Sequence, residues 1–145
     1  MPEPALIAAK YRNRLEASVG EQLRAADVPF DYEREWVPYA VPARKAKYLP
    51  DFWPRGTQII IETKGWFGRS GAKERQKLVL LKEQHPELDI RIVFSDANKR
   101  IYKTSPTTYA QWADDHGFKW STKGVVPRAW IDDMKKEAKR CKRAK

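Results

Sequence analysis

The sequence predicts a mixed α/β fold, one central sheet flanked by helices, in the order helix, three strands, helix, strand, helices. Three observations predict it. Ile59-Ile60-Ile61 and the stretch 88–94, with Ile90, Ile92 and Val93, are short continuous apolar runs of the kind that strands buried on both faces require. Segments with apolar residues three or four apart precede, separate and follow those runs, as amphipathic helices do. The 145 residues contain no internal repeat or low-complexity linker, so a single core is expected.

The first helix covers about residues 11–26, where Leu15, Val19 and Leu23 recur every fourth position. Glu16 falls on the edge of that apolar stripe. The helix dipole favours an acid in the first turn, and an acid at that edge can also reach a metal; the spacing leaves both readings open. Phe30, Tyr32, Arg34 and Trp36 alternate with Asp31, Glu33 and Glu35 and read as a strand with one aromatic face. Pro38 and Pro42 then flank Tyr39-Ala40-Val41. Two prolines at that spacing forbid regular central-strand pairing and predict a stiff extended segment, either an edge loop or a passage into a second copy of the chain.

Arg44, Lys45 and Lys47 lead up to Asp51 and the triple isoleucine. After Lys64 the run Gly65-Trp66-Phe67-Gly68-Arg69-Ser70-Gly71 reads as a mobile loop. A helix is expected over 72–85, with Leu78, Val79, Leu80 and Leu81 making its core face and Pro86 stopping it. Beyond the strand at 88–94, residues 100–103 suggest a short edge strand. Ser105-Pro106-Thr107 offers a capping hydroxyl and a first-turn proline for a helix that Gly117 ends. The last helix begins near Pro127 and passes through Trp130 and Met134 into the C-terminal residues. The six tryptophans are expected in the core; Trp66, with its neighbour Phe67, is the exception to watch because it follows Lys64 so closely.

The net charge of +10, with 33% of residues charged, calls for a polyanionic partner, and nucleic acid is the obvious one. The charge is uneven. Residues 135–145 carry seven basic side chains against Glu137, a net +6, so they are set apart as a basic tail from a body, 1–134, of only +4. Such a tail suits phosphate contact and equally suits a solvated terminal helix or arm. Cys141 has no partner for a disulfide or a cysteine zinc site, which fits a reducing cytoplasm. His85 and His116 are too few for a histidine metal centre and sit where helices end. No stretch is apolar enough to span a membrane, and the N-terminus lacks the pattern of a signal peptide, so a soluble cytoplasmic protein is expected.

The chemistry concentrates in Pro50-Asp51-Phe52 and Ile59-Ile60-Ile61-Glu62-Thr63-Lys64-Gly65. Side chains alternate along a strand, so Ile60, Glu62 and Lys64 share one face. A carboxylate and an ammonium thus emerge side by side, and Asp51 closing on them would give two acidic groups for a hard cation such as Mg²⁺, which takes carboxylates, water and phosphate as ligands. Lys64 would orient or activate an attacking water. This is the constellation of a metal-dependent phosphodiesterase. A solvated Glu-Lys salt bridge is the plain alternative, but such a pair belongs on a strand that alternates polar and apolar, and three consecutive isoleucines precede this one. Arg44, Lys45 and Lys47 before the site, and Arg69 and Lys73 after it, are the candidate DNA contacts.

Those motifs, with Arg14-Leu15-Glu16, Val37-Pro38-Tyr39-Ala40-Val41-Pro42 and the stretch 83–95, carry a resemblance to phage endonuclease I, the podophage type of Holliday-junction resolvase in the PD-(D/E)xK nuclease superfamily. The likeness covers most of the chain; the loops around 53–56 and after Gly65 depart from the pattern. The resemblance implies a restriction-endonuclease-like fold in a domain-swapped homodimer, with residues 37–42 bridging the halves. It implies Asp51, Glu62, Glu16 and the carbonyl of Thr63 as ligands of Mg²⁺, for which Mn²⁺ substitutes, and Lys64 as the catalytic lysine. Glu16 of one chain would join Asp51, Glu62 and Lys64 of the other, and the substrate would be branched DNA, above all four-way junctions. A noncatalytic branched-DNA-binding or architectural protein of the same fold, and a sequence-specific restriction-type nuclease, remain the alternatives.

Overall fold

Five strands form the central sheet in the computed structural model, which describes residues 11–41, 44–68 and 71–144. In chain order the elements are α1 (Arg14–Ala25), β1 (Phe30–Tyr32), β2 (Val37–Val41), β3 (Arg44–Tyr48), β4 (Phe52–Pro54), β5 (Ile59–Lys64), α2 (Ala72–Gln84), β6 (Asp89–Phe94), α3 (Tyr109–Asp115), β7 (Lys119–Ser121) and α4 (Arg128–Ala144). The sheet runs β1-β4-β5-β6-β7. Its first pairings are antiparallel, while β5, β6 and β7 are parallel neighbours joined through α2 and α3, the crossover helices that parallel strands require. The mixed α/β prediction is met.

The triple isoleucine is buried because the sheet is covered on both faces. Ile59 and Ile61, with Phe52 and Val93, pack on Val19 and Leu23 of α1 and on Trp130, Ile131 and Met134 of α4. Ile60, with Ile90, Ile92 and Phe94, packs on Leu78 and Leu81 of α2 and on Tyr109 and Trp112 of α3. Removing this much apolar surface from water is the main driving force for the fold. Among the described residues no helix is long and apolar enough to cross a membrane.

Several local expectations are corrected. The strand read over 30–36 stops at Tyr32, because Glu33 takes a left-handed conformation (φ 47°) and turns the chain. Residues 37–41 are not an unpaired extended segment: β2 pairs antiparallel with β3 as a separate hairpin, with Pro38 opposite Lys47. A two-stranded sheet has only edge strands, which tolerate proline. The free edge of β2 is met by Gln84 of α2, whose amide bonds both the N–H and the carbonyl of Ala40. Pro42 lies outside the described residues. Residues 100–103 form no strand; a single bridge, Arg100 to Thr108, closes a loop there. The cap of α3 is Thr108, which accepts from the Gln111 N–H, whereas the Ser105 hydroxyl accepts from Thr107. β7 was not anticipated, being three residues with no usable periodicity. Trp36 and Trp66 are exposed and Phe67 is fully buried, against the expected core role of the first and the exceptional status of the last. Residues 135–144 continue α4 without a break.

Candidate active site

Five segments of the chain meet at a cleft of about 430 Å³ beside β4 and β5, lined among others by Arg12, Glu16, Glu33, Lys47, Tyr48, Asp51, Glu62, Thr63, Lys64 and Glu74. The four residues expected to carry the chemistry, Glu16, Asp51, Glu62 and Lys64, all line it, and within one chain.

Each is held by a different device. Asn13 caps α1 by accepting from the Glu16 N–H at 2.9 Å, which starts the helix so that Glu16 lies on the buried face with Val19 and Leu23. The Glu16 carboxylate then accepts from the Tyr32 hydroxyl and from the Arg12 N–H. Asp51 immediately precedes β4, where one carboxylate oxygen accepts from both the N–H (2.9 Å) and the hydroxyl (2.8 Å) of Thr63. Glu62, on the same strand face as Ile60, accepts from the buried Tyr48 hydroxyl on one oxygen and from Lys64 on the other at 3.1 Å. Lys64 is shared with Glu74 at 2.8 Å, and Glu74 is also held by Lys77.

The electrostatics follow from crowding acids in a partly dry cleft. Burial, then the charges of Glu62 and Glu16, push the Asp51 carboxyl up to about 7, against the opposing pull of the Thr63 N–H and Lys64. Burial alone would lower the Lys64 ammonium, yet Glu62, Glu74 and Asp51 outweigh it and hold the group above its ordinary value, so it stays charged. Burial would raise Glu74, but Lys64 and Lys77 bring it down to about 2. Tyr48 is pushed well above the usual phenol range by burial and by Glu62, and is therefore a hydroxyl donor.

Ligand oxygens of Glu16, Glu33 and Asp51 lie within 4.8 Å of one another. An all-carboxylate set with no histidine or thiol suits a hard divalent cation, and the raised Asp51 and a buried Glu33 oxygen with no well-aligned hydrogen bond are what such an ion would relieve. The residues therefore fit Mg²⁺. Glu62 stands on the same wall outside that trio, its oxygens engaged by Tyr48 and Lys64. Thr63, expected as a carbonyl ligand, holds Asp51 through its N–H and hydroxyl.

Glu33 is a cleft residue the sequence reading missed. Its position in an alternating run put it on a solvent face with Glu35, and no glycine or asparagine marks the turn. Arg12, Tyr48 and Glu74 were also missed; only the spacing of Arg12, four residues before Glu16, offered a local hint. Of the candidate DNA contacts, Lys47 lines the cleft with its ammonium 4.5 Å from the centre of the Trp36 ring. Lys45 and Lys73 are exposed elsewhere on β3 and α2. Arg69 and the side chain of Arg44 lie outside the described residues.

A sequence model of the family described as phage endonuclease I matches residues 4–144. The chain belongs to the phage endonuclease I family. Endonuclease I of Escherichia phage T7 is 44% identical over 128 residues, which cover 88% of this chain and 82% of that protein. Endodeoxyribonuclease 1 of Enterobacteria phage T3 is 43% identical over 128 residues, 88% of this chain and 80% of its own length. Membership of this endonuclease family accounts for a cleft that combines clustered acids with a lysine fixed in its charged form.

Proposed function

We propose that this chain is a structure-selective DNA endonuclease that resolves four-way junctions and other branched DNA by metal-dependent hydrolysis of phosphodiester bonds. The observation that carries the reading is the convergence of Glu16, Asp51, Glu62 and Lys64, from α1, the β4 approach and β5, on one cleft. The names of the relatives supply endonucleolytic cleavage of DNA; the family resemblance supplies the branched substrate.

Asp51 and Glu16, with Glu33 or Glu62 and by resemblance the carbonyl of Thr63, would hold the ion. Mg²⁺, or Mn²⁺ in its place, supplies Lewis acidity to a phosphate oxygen and lowers the pKa of a bound water. Thr63 fixes the direction of the Asp51 carboxylate, and Tyr48 that of Glu62. Lys64, held in its charged form by Glu62 and Glu74, donates hydrogen bonds that orient the attacking water or steady charge on the phosphate. Cleavage leaves a 5′-phosphate and a 3′-hydroxyl.

The working unit is a homodimer with two such sites, which suits paired cuts on opposing strands of a junction. Exchange of halves through residues 37–42 would turn the contacts between the first 36 residues and those after 42, such as Arg12 with Asp51, into contacts between chains, so that Glu16 of one copy would serve Asp51, Glu62 and Lys64 of the other. Residues 1–134 make up the nuclease, the basic end of α4 is a further phosphate contact, Lys47 serves at the cleft and Arg44, Lys45, Arg69 and Lys73 are further candidate DNA contacts, with the host cytoplasm as the place of action. Because phosphate contacts dominate, binding weakens steeply with salt.

The test is incubation of a labelled four-way junction and a matched linear duplex with Mg²⁺, Ca²⁺ or chelator. Junction-selective cutting with Mg²⁺ that Glu62→Gln abolishes while binding persists supports the reading. Binding with no metal-dependent cutting by the unmodified chain would mark a noncatalytic binder, and cutting of linear duplex at one motif a restriction-type enzyme.

A further inference from the structure

The three carboxylates that could hold a cation already share one. The Nη2 atom of Arg12 lies 2.6 Å from Glu33, 3.5 Å from Asp51 and 3.7 Å from Glu16. These are the same acids whose ligand oxygens gather within 4.8 Å. One guanidinium nitrogen, carrying part of a single positive charge, thus lies within ion-pair distance of all three acids. The other cations described around the cleft are engaged elsewhere: Lys64 with Glu62 and Glu74, Lys77 with Glu74, Lys47 over Trp36.

The hold on Arg12 is loose. Its pairing with the trio is not the parallel two-bond fork that makes guanidinium–carboxylate pairs strong; two of the three distances are long, and the Glu33 oxygen at 2.6 Å gains no well-aligned hydrogen bond. The Arg12 side chain is 66% exposed, at the mouth of the cleft just before the Asn13 cap. It can leave by rotating about its own bonds, with no change in α1.

We propose that Arg12 is the resident counter-ion of the acid trio, that a divalent cation displaces it, and that the released guanidinium takes a phosphate of the DNA at the cleft mouth. Arg12 is in this sense a positioning residue that couples two ligands, and the inference rests on the metal-dependent nuclease reading above. The coupling follows from linkage. A metal that expels Arg12 frees it for phosphate, and a phosphate that captures Arg12 clears the trio for metal, so each ligand strengthens the other by the same factor.

The test measures Ca²⁺ binding to the DNA-free full chain by titration calorimetry, and junction binding by fluorescence anisotropy across a salt series with and without Ca²⁺. Arg12→Ala is expected to bind Ca²⁺ roughly tenfold more tightly than the unaltered chain, since it removes a competitor held by several partly screened ion pairs. Arg12→Lys should fall between. In Arg12→Ala the Ca²⁺-induced gain in junction affinity should disappear, and the salt slope of junction binding should fall by about one. Ca²⁺ affinity that is unchanged or weaker in a folded Arg12→Ala overturns the proposal, as does an equal gain in Lys77→Ala, which would reveal only a general field effect. Should Arg12→Ala unfold, Arg12→Gln takes its place; loss of the fold in both would make Arg12 a structural clasp and overturn the idea. An unaltered chain that binds neither Ca²⁺ nor Mn²⁺ would instead defeat the metal-nuclease reading itself.

Discussion

Thr63 donates twice to one oxygen of Asp51, through its backbone N–H at 2.9 Å and its hydroxyl at 2.8 Å. The pair ties the approach to β4 to the C-terminal end of β5, and it leaves the other Asp51 oxygen turned toward Arg12. Thr63→Val keeps the shape and the N–H but removes the hydroxyl, so the carboxylate can swing. The expected result is a divalent-ion affinity lower by roughly tenfold, the low end for loss of an outer-shell partner, with a stability loss of about 1 kcal/mol. Calorimetric titration with Mn²⁺ and a urea melt check the two; unaltered ion affinity would deny the hydroxyl its orienting role.

The raised Asp51 carboxyl gives a pH dependence whose sign is fixed. Unfolded, the group ionises near its ordinary 3.8; folded without metal, it ionises near 7. Between those values the folded state holds the extra proton, so the Asp51 contribution to stability falls as pH rises through the window and levels off above about 7. A divalent ion binds the ionised form and must displace that proton at lower pH. The Tm gain from Mg²⁺ over chelator should therefore grow from about pH 5.5 to about pH 8. Asp51→Asn should flatten the metal-free Tm profile over the same range. A Mg²⁺ gain that is constant with pH would contradict the assignment.

Much of this site was legible in short-range pattern. Strand periodicity alone puts Glu62 and Lys64 on one face, and the apolar Ile59-Ile60-Ile61 run places that face inside a covered sheet. Glu16 was legible only as a possibility, because helix geometry sets its direction but not what it meets; Tyr32 and Asp51 decide that from elsewhere in the chain. Glu33 was illegible for a local reason. Its left-handed φ of 47° breaks the alternation that would have turned it to solvent, and nothing in Asp31-Tyr32-Glu33-Arg34 announces a turn. Pro38 misled in the opposite direction, since a missing N–H argues against a central strand but not against a hairpin whose outer edge is met by a glutamine side chain. Arg12 meets Asp51 across 39 positions, a tertiary contact that no periodicity encodes.

Tyr48 and Glu62 form a buried pair in which the phenol is the donor. Tyr48→Phe preserves the ring and its packing but leaves a carboxylate oxygen dry and without its donor. The expected cost is about 1–3 kcal/mol of stability, read by denaturant melts at neutral pH. Cleavage should fall by roughly tenfold or more, as when an outer-shell partner is lost, with junction binding little altered. Equal losses of binding and cleavage would mean that Tyr48 shapes the DNA surface, not the orientation of Glu62.

Gly20 makes a case where helix propensity and packing predict opposite signs. It lies inside α1, where replacing glycine by alanine ordinarily stabilises by about 1 kcal/mol. Here a Cβ would stand 2.4 Å from the Tyr11 hydroxyl oxygen and 2.5 Å from its ring carbon. The ring has little room to retreat, because it packs edge-on against Tyr32 at 4.7 Å and against Phe52 at 5.7 Å. Overpacking of this kind costs about 1–3 kcal/mol, which outweighs the propensity gain. Gly20→Ala should therefore lower Tm. Because Tyr11 packs on Tyr32, which donates to Glu16, the displaced ring should also weaken divalent-ion binding. A variant that melts higher than the unaltered chain, with its ion affinity intact, would show that the Tyr11 ring yields freely and that the α1 side of the cleft is less tightly packed than these contacts require.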